Sequence, residues 1–164
     1  MTFLKWLGGA AVALVAVLIV NTLTFTVEPT TVTPLLNEAA IDEQAVAQRL
    51  SKGIQFATIS HMDPTKKNVQ VFEDFHDFLA ESYPLAHEYL ELEIVGELSL
   101  LYRWKGLDEN LKPILLMSHL DVVPVDEETR DRWVHEPFAG TISDGIIWGR
   151  GAVDIKSGVM GIME

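Results

Sequence analysis

The sequence predicts an α/β fold, a mixed-sheet α/β sandwich that follows an apolar N-terminal segment. Three observations lead to this prediction. Residues 37–54 and 68–82 place apolar side chains at helical spacing, short apolar stretches within 89–148 have the length of strands, and 156–164 has the pattern of a helix that begins. Helices followed by strands and then another helix are typical of a domain in which helices cover a sheet.

The N-terminal segment, 1–27, is predicted to be a membrane anchor. Residues 7–20 are all apolar or glycine, and Lys5 is the only charged side chain before them. About twenty apolar residues are enough to cross a bilayer, so we expect one transmembrane helix. The positive-inside tendency then places the N terminus in the cytoplasm and the remainder in a periplasm, a lumen or the extracellular space. The alternative is a cleaved signal peptide, which would give a secreted protein.

Charge and cysteine content exclude several function classes. Residues 28–164 carry all 24 Asp and Glu and all but one of the 12 Lys and Arg, which gives a formal charge of 11 − 24 = −13. Such an acidic segment is not expected to bind nucleic acid, because the phosphate backbone attracts basic proteins. The chain has no cysteine, so any metal must be held by histidine and carboxylate ligands.

The domain of 37–164 follows a predicted linker, 28–36, that contains two prolines and reads as extended. The first helix is predicted over 37–54. The second is predicted over 68–82 and ends before Tyr83, because the residue that precedes a proline disfavours helix. The aromatic residues on one face of the second helix are predicted to belong to the core.

Strands dominate the middle of the domain. An apolar run is predicted to form the central, buried strand, and Asp-Gly between two short strands is a strong hairpin signal. Polar residues predict a turn over 106–112 and an acidic loop over 126–131. The predicted strands are 89–95, 98–104, 114–117 (the central strand), 141–143 and 146–148.

His119 and Asp121 directly follow the predicted central strand. Loops after the strands of an α/β sheet line its crevice, where ligands bind. Residues two apart in an extended stretch point the same way, so Asp121 can approach the His119 ring, fix its tautomer and raise its basicity. This is the arrangement of a metal-binding histidine with a supporting carboxylate. A loop histidine and aspartate paired with backbone is the alternative.

Asp154 follows two glycines, Gly149 and Gly151, that permit unusual dihedral angles and close approach of the backbone. A carboxylate has two oxygens and can bridge two metals. A phosphate-binding P-loop is disfavoured because no glycine precedes Lys156. A dinucleotide-binding loop is disfavoured because it needs a third glycine where Asp154 stands.

The motifs at 118–124 (Ser-His-Leu-Asp-Val-Val-Pro), 133–140 (Trp133 and Pro-Phe-Ala-Gly) and 144–156 (Asp-Gly-Ile-Ile-Trp-Gly-Arg-Gly-Ala-Val-Asp-Ile-Lys) are informative together. In order and spacing they resemble the M20 family of zinc metallopeptidases. The N-terminal anchor and the Trp-x-x-x-Pro-Phe segment are most similar to its carboxypeptidase S and N-fatty-acyl-amino-acid hydrolase branch.

The resemblance implies a role for each site residue. His119 would bind one Zn²⁺ and Asp154 would bridge two, while Asp121, the candidate catalytic side chain, would orient His119 rather than bind metal. The peptide bond between Asp154 and Ile155 is often cis in such enzymes. The implied reaction is hydrolysis of an amide bond by a zinc-activated water, with a peptide or an N-acyl amino acid as substrate.

The resemblance also implies that the chain is the N-terminal portion of such an enzyme, with an incomplete catalytic domain. Two ligands are too few for a tetrahedral zinc, so the chain alone is expected to be inactive. The alternative is a catalytically silent, membrane-anchored module that keeps the scaffold and binds a partner.

Overall fold

The computed structural model describes residues 2–26 and 41–164. The predicted linker, 28–36, and the first residues of the predicted first helix, 37–40, lie outside the described residues. The chain divides into two units, Met1–Ala39 and Ala40–Glu164.

The described residues of the first unit form one helix, α1 (Thr2–Thr24). No helix in the part of the chain that the structure describes is long and apolar enough to cross a membrane. The transmembrane helix predicted within 1–27 is therefore not supported. The wholly apolar run, 7–20, has 14 residues, whereas about twenty are needed to cross a bilayer. The predicted location of the protein stays a prediction.

The second unit begins with two helices where the sequence predicts them. Helix α2 (Glu43–Ile54) starts after Asp42, whose side chain accepts a hydrogen bond from the Ala45 amide at 3.0 Å. This contact satisfies one of the amides left free in the first turn of a helix. Helix α3 (Val69–Ser82) buries its aromatic face, including Phe72 and Phe75, as its apolar spacing predicts.

A third helix, α4 (Pro84–Tyr89), was not predicted from the sequence. Pro84 ends α3, because the residue before it cannot easily stay helical. The same proline then occupies the first turn of α4, where its missing amide costs nothing. Pro84 therefore both ends α3 and begins α4, whereas the sequence analysis used it only to predict the end of α3.

The described residues form two hairpins, of which the second, at Asp144-Gly145, is the one that the sequence predicts. Strands β1 (Glu91–Val95) and β2 (Ser99–Arg103) pair antiparallel. Strands β3 (Thr141–Ser143) and β4 (Ile146–Trp148) pair antiparallel around Asp144-Gly145. Both turn residues have positive φ, 54° and 75°, as the two-residue turn of a tight hairpin requires.

The predicted central strand, 114–117, is wrong for the residues that the structure describes. These residues form no strand, and their side chains are exposed, with Ile114 at 88% and Met117 at 77% of full exposure. The described β-structure is two separate two-stranded sheets, not one mixed sheet. A buried strand needs hydrogen-bonding partners on its edges and side chains over its faces, and the described residues supply neither to 114–117.

The remaining elements include a short 3₁₀ helix, Pro64–Lys66. The acidic loop predicted over 126–131 contains a short 3₁₀ helix, Glu127–Arg132, which the side chain of Asp126 caps at the Glu128 amide. The predicted final helix is confirmed as α5 (Ser157–Met163).

The core forms where α3 and α5 meet. Phe75, Leu79 and Tyr83 pack against Val159 and Met160, and all five are buried. Helix α2 packs against both helices and against the β3–β4 hairpin. The fold is thus a mixed α/β domain with short sheets, and the C-terminal end of α2 lies at its centre.

Candidate metal-binding site

His119 and Asp121 lie on a loop that is fixed by the segment after α2. Val122 forms a parallel β-bridge with Ile59, and its amide donates to the Thr58 carbonyl at 2.9 Å. The Ser60 amide donates to the Val122 carbonyl at 3.0 Å. Val122 is 2% exposed, so the loop is anchored immediately beside the two candidate site residues.

Asp154 lies on a second loop, between β4 and α5. Gly151 begins its turn with a φ of 87°, and a Cβ atom there would lie 2.7 Å from Cγ1 of Val122. Glycine is therefore required for the turn to approach the first loop. The Ser118 hydroxyl donates to the Ile155 carbonyl at 3.0 Å, which joins the loops directly. The Asp154–Ile155 peptide bond is cis, as the family resemblance implies.

The two loops bring the three predicted site residues together. The Nε2 atom of His119 lies 3.2 Å from Oδ1 of Asp154. The Nδ1 atom of the same ring lies 2.9 Å from the Asp121 carbonyl oxygen and 3.2 Å from the Asp121 carboxylate. His119 thus faces Asp154 on one side and Asp121 on the other.

The hydrogen bond to the Asp121 carbonyl determines the tautomer of a neutral His119. A carbonyl oxygen only accepts, so Nδ1 carries the proton and the Nε2 lone pair faces the Asp154 carboxylate. Two acceptors 3.2 Å apart repel unless a proton or a metal cation lies between them. Burial alone would lower the pKa of His119, but the hydrogen bonds to Asp121 and Asp154 and their negative charges outweigh it and raise the pKa.

The same geometry fits a metal ion. Two ligands about 2.1 Å from a tetrahedral Zn²⁺ lie about 3.4 Å apart, close to the separation of the His119 nitrogen and the Asp154 oxygen. Asp154 is 87% exposed, so its second oxygen is accessible to a further ion. Within the described residues no group of three or more histidine or acidic side chains is arranged to hold one metal ion, so this part of the chain offers two candidate ligands and one supporting carboxylate.

Lys156 is a buried residue beside the site that sequence reasoning did not assign to it. Its side chain is fully buried, and Nζ donates to the carbonyl oxygens of Gly53 at 2.8 Å and Phe56 at 2.5 Å. Nζ also lies 4.4 Å from the centre of the Phe75 ring. Burial lowers the pKa of Lys156 to about 7, because the low-dielectric interior disfavours its charged form.

The remaining histidines with described contacts pack elsewhere. Nε2 of His76 lies 3.1 Å from the Leu98 carbonyl oxygen, and Nε2 of His87 lies 2.8 Å from the Tyr102 hydroxyl. His135 packs edge-on against the Trp148 ring at 5.2 Å. Each of these rings has a packing or hydrogen-bonding role away from His119.

Comparisons with known proteins cover the segment that contains this candidate site. Residues 115–164, which include all three predicted site residues, match the sequence model of Peptidase family M20/M25/M40. The match relates this segment to the sequences of that peptidase family.

Individual relatives extend the match along the chain. The "Probable carboxypeptidase S-like 2" of Dictyostelium discoideum is 42% identical over 160 residues, which cover 93% of this chain and 30% of that protein. The "Carboxypeptidase S" of Saccharomyces cerevisiae is 47% identical over 88 residues, 52% of this chain and 15% of that protein. The "N-fatty-acyl-amino acid synthase/hydrolase PM20D1" of Homo sapiens is 35% identical over 122 residues, 73% of this chain and 24% of that protein.

These matches confirm the resemblance: the chain belongs to the M20 peptidase family. The chain spans less than a third of the length of these curated relatives.

Proposed function

We propose that the chain supplies His119, Asp121 and Asp154 to the metal centre of an amide-bond hydrolase. The convergence of the His119 Nε2 atom and the Asp154 carboxylate at 3.2 Å carries this proposal. Two loops 35 residues apart in sequence meet at this point, and the pair needs a proton or a metal cation between its two acceptor atoms.

Each of the three side chains has its own task in this proposal. His119 binds a metal through Nε2, while its Nδ1–H is held by Asp121, which fixes the orientation of the ring. Asp154 binds the same metal and, through its exposed second oxygen, holds a second. Zn²⁺ at such a site supplies Lewis-acid chemistry, the activation of water and the polarisation of an amide carbonyl.

The proposed substrate is the amide bond of a C-terminal peptide residue or of an N-acyl amino acid. The support is the similarity to relatives named as carboxypeptidases and as an N-fatty-acyl-amino acid hydrolase. The described residues themselves do not select between the two substrates, so the test below includes both.

A non-catalytic binding module on the same scaffold is the second candidate function. The observation that favours it is the two-ligand count within the described residues, against the four ligands usual for zinc. In this case the 3.2 Å contact is a hydrogen bond between a protonated His119 and Asp154.

The first test is Zn²⁺ binding by the 164-residue chain, measured by competition with a chromophoric chelator. We expect weak binding that is lost in His119→Ala and in Asp154→Ala. His87→Gln is the control, because the ring of His87 pairs with Tyr102. Equal binding by the parent chain and by His119→Ala would exclude the metal site and favour the binding module.

The second test transplants the site into a relative. Residues 115–164 replace the matching segment of the Saccharomyces cerevisiae Carboxypeptidase S, and hydrolysis of a dipeptide and of an N-acyl amino acid is measured. We expect activity that His119→Ala and Asp154→Ala abolish. Asp121→Asn should keep most of the zinc and lose about 10–100-fold in rate, as is typical for the partner of a ligand. A chimera that hydrolyses amides equally well without His119 contradicts the proposal.

A further inference from the structure

We propose that residues 53–60, the last two residues of α2 and the six that follow them, align the two loops that carry the candidate metal ligands, and that Lys156 and Thr58 are the positioning residues. This inference rests on the proposed function, since it assigns the alignment of His119 and Asp154 to side chains that touch neither metal nor substrate. We call residues 53–60 the alignment segment.

Lys156 ties the Asp154 loop to this segment. Its ammonium reaches the Gly53 and Phe56 carbonyl oxygens across 103 and 100 residues of sequence. These carbonyls lie at the C-terminal end of α2, where backbone acceptors lack helical partners and the helix dipole favours a positive group. The Lys156 amide also donates to the Gly151 carbonyl at 2.8 Å, which closes the turn that presents Asp154.

Thr58 ties the His119 loop to the same segment. Its side chain is fully buried, and its hydroxyl donates to the Leu120 carbonyl at 2.6 Å. Its own carbonyl accepts from the Val122 amide. The side chain of Thr58 thus binds Leu120, which lies between His119 and Asp121. The backbone of Thr58 binds Val122, which follows Asp121.

The contacts of Lys156 and of Thr58 both involve the alignment segment. The alignment segment binds the Asp154 loop through Gly53 and Phe56 and binds the His119 loop through Thr58 and the Ile59 bridge to Val122. A shift of either loop relative to this segment changes the distance between the two ligands. Misplacing a catalytic group by about 1 Å is enough to cost about 100-fold in rate, so alignment on a common support has a functional consequence.

The tether does not depend on the charge of Lys156. A neutral amine still has two N–H donors, one for each carbonyl, and a charged amine has three. Either form therefore holds the loop. The role follows from the two hydrogen bonds and the complete burial of the side chain, and a shorter or apolar side chain cannot reproduce it.

The test compares Zn²⁺ affinity in the full chain for Lys156→Met and Thr58→Val, two substitutions of similar shape that remove the donors. We expect a loss of about 10–100-fold for Lys156→Met, the range typical for partners of metal ligands, and a smaller loss for Thr58→Val. Thr58→Ser keeps the hydroxyl and should return to the parent affinity. Lys66→Met, at an exposed lysine, is the control for lost charge, and Phe72→Leu, in the core, is the control for lost stability.

A second readout needs no metal. The ¹⁵N shift of His119 Nε2 reports its contact with Asp154, and Asp154→Asn gives the value without the carboxylate. Lys156→Met and Thr58→Val should move the shift toward that value, whereas both controls should leave it unchanged. This measurement separates a failure of alignment from a failure of metal binding.

The outcomes are distinct. Parent-like affinity and an unchanged His119 shift in folded Lys156→Met and Thr58→Val would overturn the alignment role while leaving the metal site standing. Zinc affinity that is the same in the parent and in His119→Ala would overturn the proposed function, and the shift would still decide the alignment role. If Lys156→Met does not fold, Thr58→Val and its rescue by Thr58→Ser decide the inference.

Discussion

The two halves of the stretch 113–122 differ in exposure and in hydrogen bonding. Residues 113–117 are apolar and exposed, with Leu116 at 67% exposure, and within the described part of the chain their backbone makes no hydrogen bond. Residues 118–122 are less apolar, yet Val122 is only 2% exposed. This half forms hydrogen bonds with Thr58, Ser60 and Ile155.

Within the described residues, hydrogen-bonding partners, and not hydropathy, distinguish the anchored half from the exposed half. Hydropathy alone predicts a strand at 113–117 rather than at 118–122. The anchored half instead has acceptors and donors placed opposite it by the segment after α2. The candidate metal ligand His119 lies in the anchored half, so these contacts support the proposed site.

The largest expected effect is the difference in free energy of unfolding between a substitution in the core and one at an exposed apolar residue. Leu79→Ala should lower the free energy of unfolding by about 2–5 kcal/mol, since Leu79 is 1% exposed and its removal leaves a cavity. Leu116→Ala should change it by no more than about 0.5 kcal/mol, as is usual for a surface residue. Urea titration followed by tryptophan fluorescence measures both. A large cost for Leu116→Ala would mean that the run is buried in solution.

The sequence predicted the elements that are determined locally. Apolar spacing located α2 and α3, and Asp144-Gly145 located the second hairpin, because helix periodicity and turn chemistry act over a few residues. The family motifs also named the residues that converge at the site. The central strand failed because strand formation depends on partners elsewhere in the sequence, which hydropathy does not report.

The next effect concerns the turn that brings the two loops together. Gly151→Ala should cost about 2–4 kcal/mol, from the left-handed dihedral angle and from the clash with Val122. Gly145→Ala is a matched control with a φ of 75° and open space around it, so it should cost only the dihedral strain, about 1–2 kcal/mol. Equal losses in urea titration would indicate that the turn is not packed against the first loop.

The tethers of the site could not be predicted from local pattern. Lys156 and Gly53 are 103 residues apart, and nothing near Thr58 indicates that its hydroxyl meets Leu120. A signal for Lys156 did exist, because it follows Asp154 by two residues in a glycine-rich motif, where a lysine has no evident solvent-facing task. Sequence therefore identified the candidate ligands, whereas the residues that support them could be identified only from the fold.

A smaller effect tests the exposed half. Exposed apolar backbone that lacks partners is prone to pair with another chain, so the chain should self-associate through 113–117. Leu116→Lys should raise the concentration of half-association by about tenfold, equivalent to about 1.4 kcal/mol, in sedimentation equilibrium. Val134→Lys, at an isolated residue that is 75% exposed, should leave it unchanged. Equal shifts in the two variants would place the association elsewhere.

The smallest effect concerns a charged contact at the edge of the ordered region. The Arg49 guanidinium binds both carboxylate oxygens of Glu164 at 2.7 Å, and the Tyr83 hydroxyl donates to one of them at 2.9 Å. The hydrogen bond from Arg49, opposed by partial burial and assisted by Tyr83, lowers the pKa of Glu164 below its ordinary 4.5. A carboxylate with a lowered pKa in the folded state stabilises the fold above its unfolded pKa.

That contribution should therefore be lost as the pH falls below about 4.5 and through the lower folded pKa of Glu164. The parent should exceed Glu164→Gln in free energy of unfolding by about 1 kcal/mol or less near neutral pH, and the difference should shrink toward zero in acid. Urea titrations of the two chains between neutral pH and pH 3 measure the difference directly. A difference that stays constant across this range would show that packing, and not the charge of Glu164, joins the C-terminal end of α5 to α2.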